Sequence, residues 1–164
     1  MNTKANHKIF NRMVAVFMAL LCMMAIAVPS VMAASKKVAN GTYTVPIELY
    51  KASENRKSMA AGAFKGTAKV KVSKGKMTMT VYTKKFEKSG ITPKQLDLKI
   101  KFGNSWVKAK VVSKSKSGYP TALSFPVASR STFLPCQLNP HVAAMGNQYV
   151  AARFKISWGS MHKA

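Results

Sequence analysis

Few side chains in this chain are suited to chemistry. The acids are Glu48, Glu54, Glu87 and Asp97, and the histidines are His7, His141 and His162. General acid–base work by carboxylates needs two of them close together in environments that push their pKa values apart, and these four are widely spaced, at least two on strand surfaces. His162 lies in the C-terminal tail, which leaves His141 as the one base or metal ligand to consider; directly after "NP" it reads as a turn histidine. Of the two cysteines, Cys22 lies in an apolar N-terminal stretch and Cys136 in the body of the chain, so neither an internal disulfide nor a Cys-rich metal site is expected. Cys136 reads as a small buried hydrophobe in a strand. No glycine-rich phosphate loop and no nucleophile elbow are present. The expectation is a binding protein and not an enzyme. One short stretch stands apart, "ENRKSMAAGAF" from Glu54 to Phe64. Ser58 can cap a helical turn that starts at Met59 and stops near Gly62, placing a thioether beside a chain that otherwise alternates like β-sheet.

The elements that must position these residues begin after a leader. Lys4, Lys8 and Arg12 precede the apolar run "MVAVFMALLCMMAIAV", and "VMA" ending at Ala33 supplies small residues for cleavage, the order of a secretory signal. Leu20 and Leu21 before Cys22 do not make a lipobox. Residues 1–33 are therefore expected to be removed and residues 34–164 to form one domain with one core. No second apolar run and no wall-sorting signal are read, so the protein is expected to be secreted, with no transmembrane anchor. The formal charge of +23 becomes +20 once the three leader cations are gone. Such a field attracts anionic wall polymers, lipid headgroups, nucleic acid or carboxylate ligands, although lysines also keep strand edges from pairing. Nucleic acid is the weakest of these partners, because Tyr82 and Tyr119 are not clustered with lysines as a stacking platform requires.

Periodicity assigns the domain to all-β. "GTYTVPIELY" alternates, and Pro46 within it points to an edge strand or bulge. Ala68, Val70 and Val72 face one way against Lys69 and Lys71; a Lys74-Gly75 turn then returns the chain with Met77, Met79 and Val81 inward. Leu96, Leu98, Ile100 and Phe102 repeat the pattern, with "WVKAKVV" as the partner after a Gly103-Asn104 turn. "TALSFPV" and "RFKISW" are further strands. On the last, Val150, Ala152, Phe154, Ile156 and Trp158 form the apolar face, and Tyr149, Ala151, Arg153 and Lys155 point away. Seven or eight short strands imply an immunoglobulin-like antiparallel β-sandwich with a short helical turn.

"NGTYTVPIELYKASENRKSMAAGAFKGTAKVKVSKGKMTMTVY", Asn40 to Tyr82, resembles the N-terminal half of NEAT (near-iron-transporter) domains, haem-acquisition modules of Gram-positive cell surfaces. "ALSFPV" and "YVAARFKISW" resemble the strand before the family's final hairpin and its last strand. The resemblance implies haem held between the Ser58–Met59 turn and that hairpin, with Met59 as a wall or distal contact, Phe64 closing behind it, and Arg56 and Lys57 reaching the propionates. It also implies iron acquisition, with other haem-relay proteins as partners. Haem-binding members show Tyr-x-x-x-Tyr on the last strand; here the pair is incomplete. Taking Tyr149 as the second tyrosine puts the ligand position on Met145, a thioether; taking it as the first puts the support position on Arg153, a cation that lowers a phenol's pKa. Counting back from Phe154 instead places Gly146 and Val150 there, and no ligand results. "KASENRK" lacks the aromatic cluster of haemoglobin-gripping members. Binding of a non-haem ligand, or of wall polymer as a polyanion, is the alternative.

Overall fold

A computed structural model describes residues 38–85, 93, 95–143 and 146–164 of the chain. The leader, Glu87 and Met145 lie outside the described residues. Among those described, no helix is long and apolar enough to cross a membrane.

The described strands run in the order β1 (Gly41–Lys51), β2 (Phe64–Ser73), β3 (Lys76–Thr83), β4 (Asp97–Phe102), β5 (Ser105–Lys108), β6 (Lys110–Lys114), β7 (Pro120–Val127), β8 (Phe133–Asn139), β9 (Val150–Ile156) and β10 (His162–Lys163). Their pairings are antiparallel, and β1 belongs to two sheets. Residues 41–46 of β1 pair with β2, and the first sheet continues through β3 and β7 to β6, with β10 on the other side of β1. Residues 47–51 pair with β9, and the second sheet continues through β8 and β4 to β5.

Pro46 marks the changeover. It ends the register with β2 opposite Thr67, and its carbonyl accepts from Ser157 N–H at 3.0 Å. A proline cannot donate to a ladder, so the strand leaves one sheet where that donor is missing. β1 is thus central to the fold and not the edge strand that Pro46 suggested. The stretch "WVKAKVV", expected as one strand, is split at buried Ala109, whose N–H donates to Leu98 O at 2.8 Å; β5 stays with β4 while β6 crosses to β7. Lys74 and Gly75 both adopt positive φ, 50° and 75°, which matches the right-handed twist of the β2–β3 hairpin.

The two sheets meet through their inward side chains. Phe154 of β9 is fully buried; Phe64 of β2 meets it edge-on at 5.2 Å and Phe125 of β7 stacks on it at 6.5 Å. Val45, Val70, Met79, Val81, Leu98, Ile100 and Cys136 fill the rest of this core. Two residues expected inside lie at its ends instead: Phe102, 38 % exposed beside the Gly103-Asn104 turn, and Val150, 46 % exposed at the first position of β9. Both keep the inward parity of their strands but stand at a strand end, Phe102 the last residue of β4 and Val150 the first of β9.

Candidate functional site

The "ENRKSMAAGAF" stretch forms a loop and a 3-10 turn, Met59–Ala63. Ser58 caps it: its Oγ accepts from Ala60 N–H at 3.3 Å, and its carbonyl accepts from Ala61 N–H at 3.0 Å. Phe64 closes the other end, donating its N–H to Ala61 O while its ring goes into the core. Ser58 N–H donates to Leu49 O at 2.9 Å, Lys51 N–H to Arg56 O at 3.0 Å, and Lys57 bridges Tyr50. The turn therefore lies along the edge of β1 that β9 does not occupy.

Met59 is not a plug in the sandwich mouth. It is 72 % exposed, the most uncovered of the large apolar side chains described. Beneath the turn, Ile47, Glu48, Leu49, Lys57, Ala61, Phe64, Lys65 and Gly66 line a cleft of about 170 Å³. Ligand pockets for drug-sized molecules run to roughly 300–1,000 Å³, so this half-open cleft does not by itself hold a macrocycle. Among the described residues, backbone hydrogen bonds hold the turn against β1. What lies open is the outward face of β1, β9 and β8.

That face is aromatic and cationic. Tyr50 of β1 stands opposite Arg153 of β9, which stands opposite Pro135 of β8; one register step away, Glu48, Lys155 and Phe133 form the next row. Tyr50 meets Phe133 edge-on at 6.1 Å, Lys155 Nζ lies 5.3 Å from the Tyr50 ring centre, and the Arg153 guanidinium lies 4.1 Å from the Phe133 ring centre. Arg153 also reaches the loop before the turn, donating from Nη2 to Glu54 O at 3.2 Å. Its Nε is buried without a hydrogen-bond partner. A buried donor left without an acceptor costs about 1–3 kcal/mol.

Arg56 and Lys57, expected to face an anionic ligand, are engaged with acids. Arg56 pairs with Glu54, which Lys51 also reaches at 3.0 Å, and Lys57 pairs with Glu48 at 2.6 Å. Hydrogen bonding from Lys57 holds the Glu48 carboxyl below its usual range, and Arg56 does the same for Glu54. These pairs are exposed, so an incoming anion competes with them at little cost.

Tyr149 belongs to a second cluster. Its parity is outward, as for Arg153, but its hydroxyl leans across β8 to Asp97 of β4, donating to Oδ2 at 3.4 Å, with Lys99 Nζ 4.1 Å from its ring centre. Lys108 pairs with the same carboxylate oxygen at 2.9 Å. His141 Nε2 lies 3.2 Å from it, within ion-pair reach but off the hydrogen-bond direction. Burial alone would raise the Asp97 carboxyl; Lys108 and His141 outweigh it and hold it low. Burial, then the Asp97 charge, pushes the Tyr149 phenol up, against a smaller opposing pull from Lys108. The sequence reading of His141 as a free turn residue missed this contact, although its φ of 52° does mark a turn.

Of the sequence-derived site residues, Ser58, Met59 and Phe64 thus build the turn, Arg153 ties the turn's loop to β9, and Tyr149 joins Asp97 two strands from β9. Tyr50, Phe133, Lys155 and Asp97 were not anticipated. Their signal was only outward parity combined with an aromatic or a charge, which many surface residues share.

A sandwich whose first strand serves both sheets and carries a capped 3-10 turn beside an aromatic, cationic face defines the class of this small β-domain. The chain belongs to the NEAT family, the Iron Transport-associated domain, whose model matches residues 36–158. No curated protein matches it. Among solved structures it is similar to the NEAT5 domain of IsdX2, a B. anthracis hemophore, in complex with heme (TM-score 0.61) and to a point mutant of that domain, also with heme (TM-score 0.62). In both cases the identity is 16 %, covering 73 % of this chain and 97 % of the other. At that identity the likeness establishes the fold.

Proposed function

We propose that this protein is a secreted or cell-wall-associated haem-binding domain that serves iron acquisition, exported by residues 1–33. The observation that carries the reading is the aromatic, cationic face of Tyr50, Phe133, Arg153 and Lys155 in a member of an iron-transport-associated family. Both similar structures are of a hemophore domain with heme, and that ligand is the one transferred here.

The residues present fit such a group in kind. A porphyrin offers two flat apolar faces, two carboxylates and a metal. Met59 and the rings of Tyr50 and Phe133 supply apolar contact; Arg153 and Lys155 supply donors for carboxylates. Tyr149 on the approach to β9 and Met145 in the β8–β9 connection are the alternatives for the iron. For Tyr149 to serve, its phenol must leave Asp97, whose negative charge opposes its ionisation, and give up its proton to solvent as it meets the iron. When bound, haem would supply the iron centre that defines the cargo. The chain's own part is to grip the carboxylates, cover one face and present a ligand atom. Relay to other haem proteins would follow from an open face that a partner can approach.

Titrating the purified apo-protein with hemin tests this. A shifted Soret band at one equivalent is expected; Tyr149→Phe changes its position if the phenolate ligates, and Met145→Ala does so if the thioether ligates. An unshifted band with the wild-type chain refutes the proposal.

A further inference from the structure

The charge of this domain is divided between its two sheets. The acids among the described residues, Glu48, Glu54 and Asp97, lie on the second half of β1, in the loop after it and on β4, and each is ion-paired. Cations on that side are occupied as well: Lys99 with Tyr149, Lys101 with Trp106, Lys155 with Tyr50 and Arg153 with Phe133.

The outward face of the first sheet differs. Reading across the registers, one row is His162, Thr44, Lys69, Thr80, Ser124 and Lys110, and the next is Thr42, Lys71, Thr78 and Pro126. Ser73 and Lys76 close the hairpin, and Lys74 projects from its turn. Lys69, Lys71, Lys74, Lys76 and Lys110 are exposed, and none of them forms an ion pair with a described acid. Lys71, Ser73, Lys74, Lys76 and Thr78 line a shallow depression of about 380 Å³.

We propose that this face docks a linear phosphodiester polymer of the polyol-phosphate class, and so retains the domain in an anionic wall. Three features choose that occupant. Lys69 and Lys71, two apart along β2, are spaced by roughly 6.8 Å, and threonine hydroxyls flank each of them on β1 and β3, so an extended chain meets cations interleaved with hydrogen-bonding groups. Apolar anchors for a lipid surface are missing from these rows: the exposed large hydrophobics are Met59, Phe102, Trp106, Val112 and Val150, none of which belongs to them. A stacking platform for nucleic-acid bases is missing too, because Tyr82 is the neighbouring aromatic and Lys65 already lies over its ring at 5.9 Å. The proposal rests on the reading that the domain works outside the membrane, but it concerns the sheet opposite to the haem face.

Synthetic poly(glycerol phosphate) is the probe, with single-stranded DNA of equal charge and anionic phosphatidylglycerol vesicles for comparison. With the five lysines engaged, the slope of log affinity against log salt is about −3.5, so binding falls about a hundredfold between 50 and 200 mM salt. The variant Lys69→Gln/Lys71→Gln/Lys76→Gln flattens the slope by about 2. Lys99→Gln/Lys101→Gln, on the other sheet, leaves it unchanged. Hemin titration of the triple variant stays as in wild type, which keeps failure of this proposal distinct from failure of the haem reading. Equal losses from both sets of substitutions, a salt-independent affinity, or tighter binding to DNA or vesicles than to the polyol phosphate would overturn it.

Discussion

Replacing Arg153 by Met separates a structural arginine from a ligand-gripping one. The substitution removes a charged hydrogen bond to Glu54 O, worth roughly 1.5–3 kcal/mol, and a cation–π contact with Phe133, worth about 0.5–1 kcal/mol. It also removes the buried Nε that lacks a partner, which returns about 1–3 kcal/mol. Central values leave a net loss near 1 kcal/mol, about 3–5 °C in melting temperature for a domain of this size. Met keeps much of the side chain's packing, so little cavity cost is added. Binding responds differently, because the guanidinium is the charged donor offered to a haem carboxylate. Loss of that charged contact weakens hemin affinity about ten- to hundredfold. Arg153→Lys restores only part, since a single ammonium cannot reach Glu54 O and a ligand together as the guanidinium fork does. Thermal unfolding by circular dichroism and hemin titration by absorbance measure the two quantities side by side. A fall of more than about 10 °C with unchanged hemin affinity would mean that the arginine only braces the loop, and the reasoning would be wrong.

Three further outcomes follow from the packing and the charge clusters. Phe64→Ala removes the ring that joins the turn to Phe154 and should cost about 3–5 kcal/mol, whereas Phe64→Leu costs far less; urea unfolding midpoints distinguish them. Asp97 has a folded pKa below its unfolded value, so its stabilising contribution is present above about pH 4 and is lost as pH falls through the lower folded value. Asp97→Asn should therefore flatten the acid limb of the stability curve, and it should let Tyr149 ionise at lower pH, read as phenolate absorbance against a Tyr149→Phe control. Cys136 is fully buried and its thiol is pushed far up by burial, so it should resist alkylation in the native state and react only on unfolding, as followed by mass spectrometry.

Local pattern carried much of the fold, and long-range contact carried the site. The alternation in "AKVKVSKGKMTMTVY" gave the β2–β3 hairpin with its turn at Lys74 and Gly75, and Ser58 gave the cap, because those arrangements depend on neighbours within a few residues. Parity on "YVAARFKISW" turned Tyr149 and Arg153 outward, and Ala152, Phe154 and Ile156 are the buried positions of β9. Parity does not say where along a face a long side chain leans. Tyr149 reaches a carboxylate 52 residues away, and Arg153 a carbonyl 99 residues away. Pro46 shows the same limit from the backbone side: a missing donor in a strand signals a break in the ladder, but only the arrival of β9 shows that the break is a transfer between sheets. That transfer is what gives the site its position. It leaves one edge of residues 47–51 without a strand, the capped turn settles along that edge, and the outward face beside it holds Tyr50, Arg153 and Phe133 on three neighbouring strands. A chain whose first strand stayed in one sheet would pair that edge with β2, and the turn would have no place to stand.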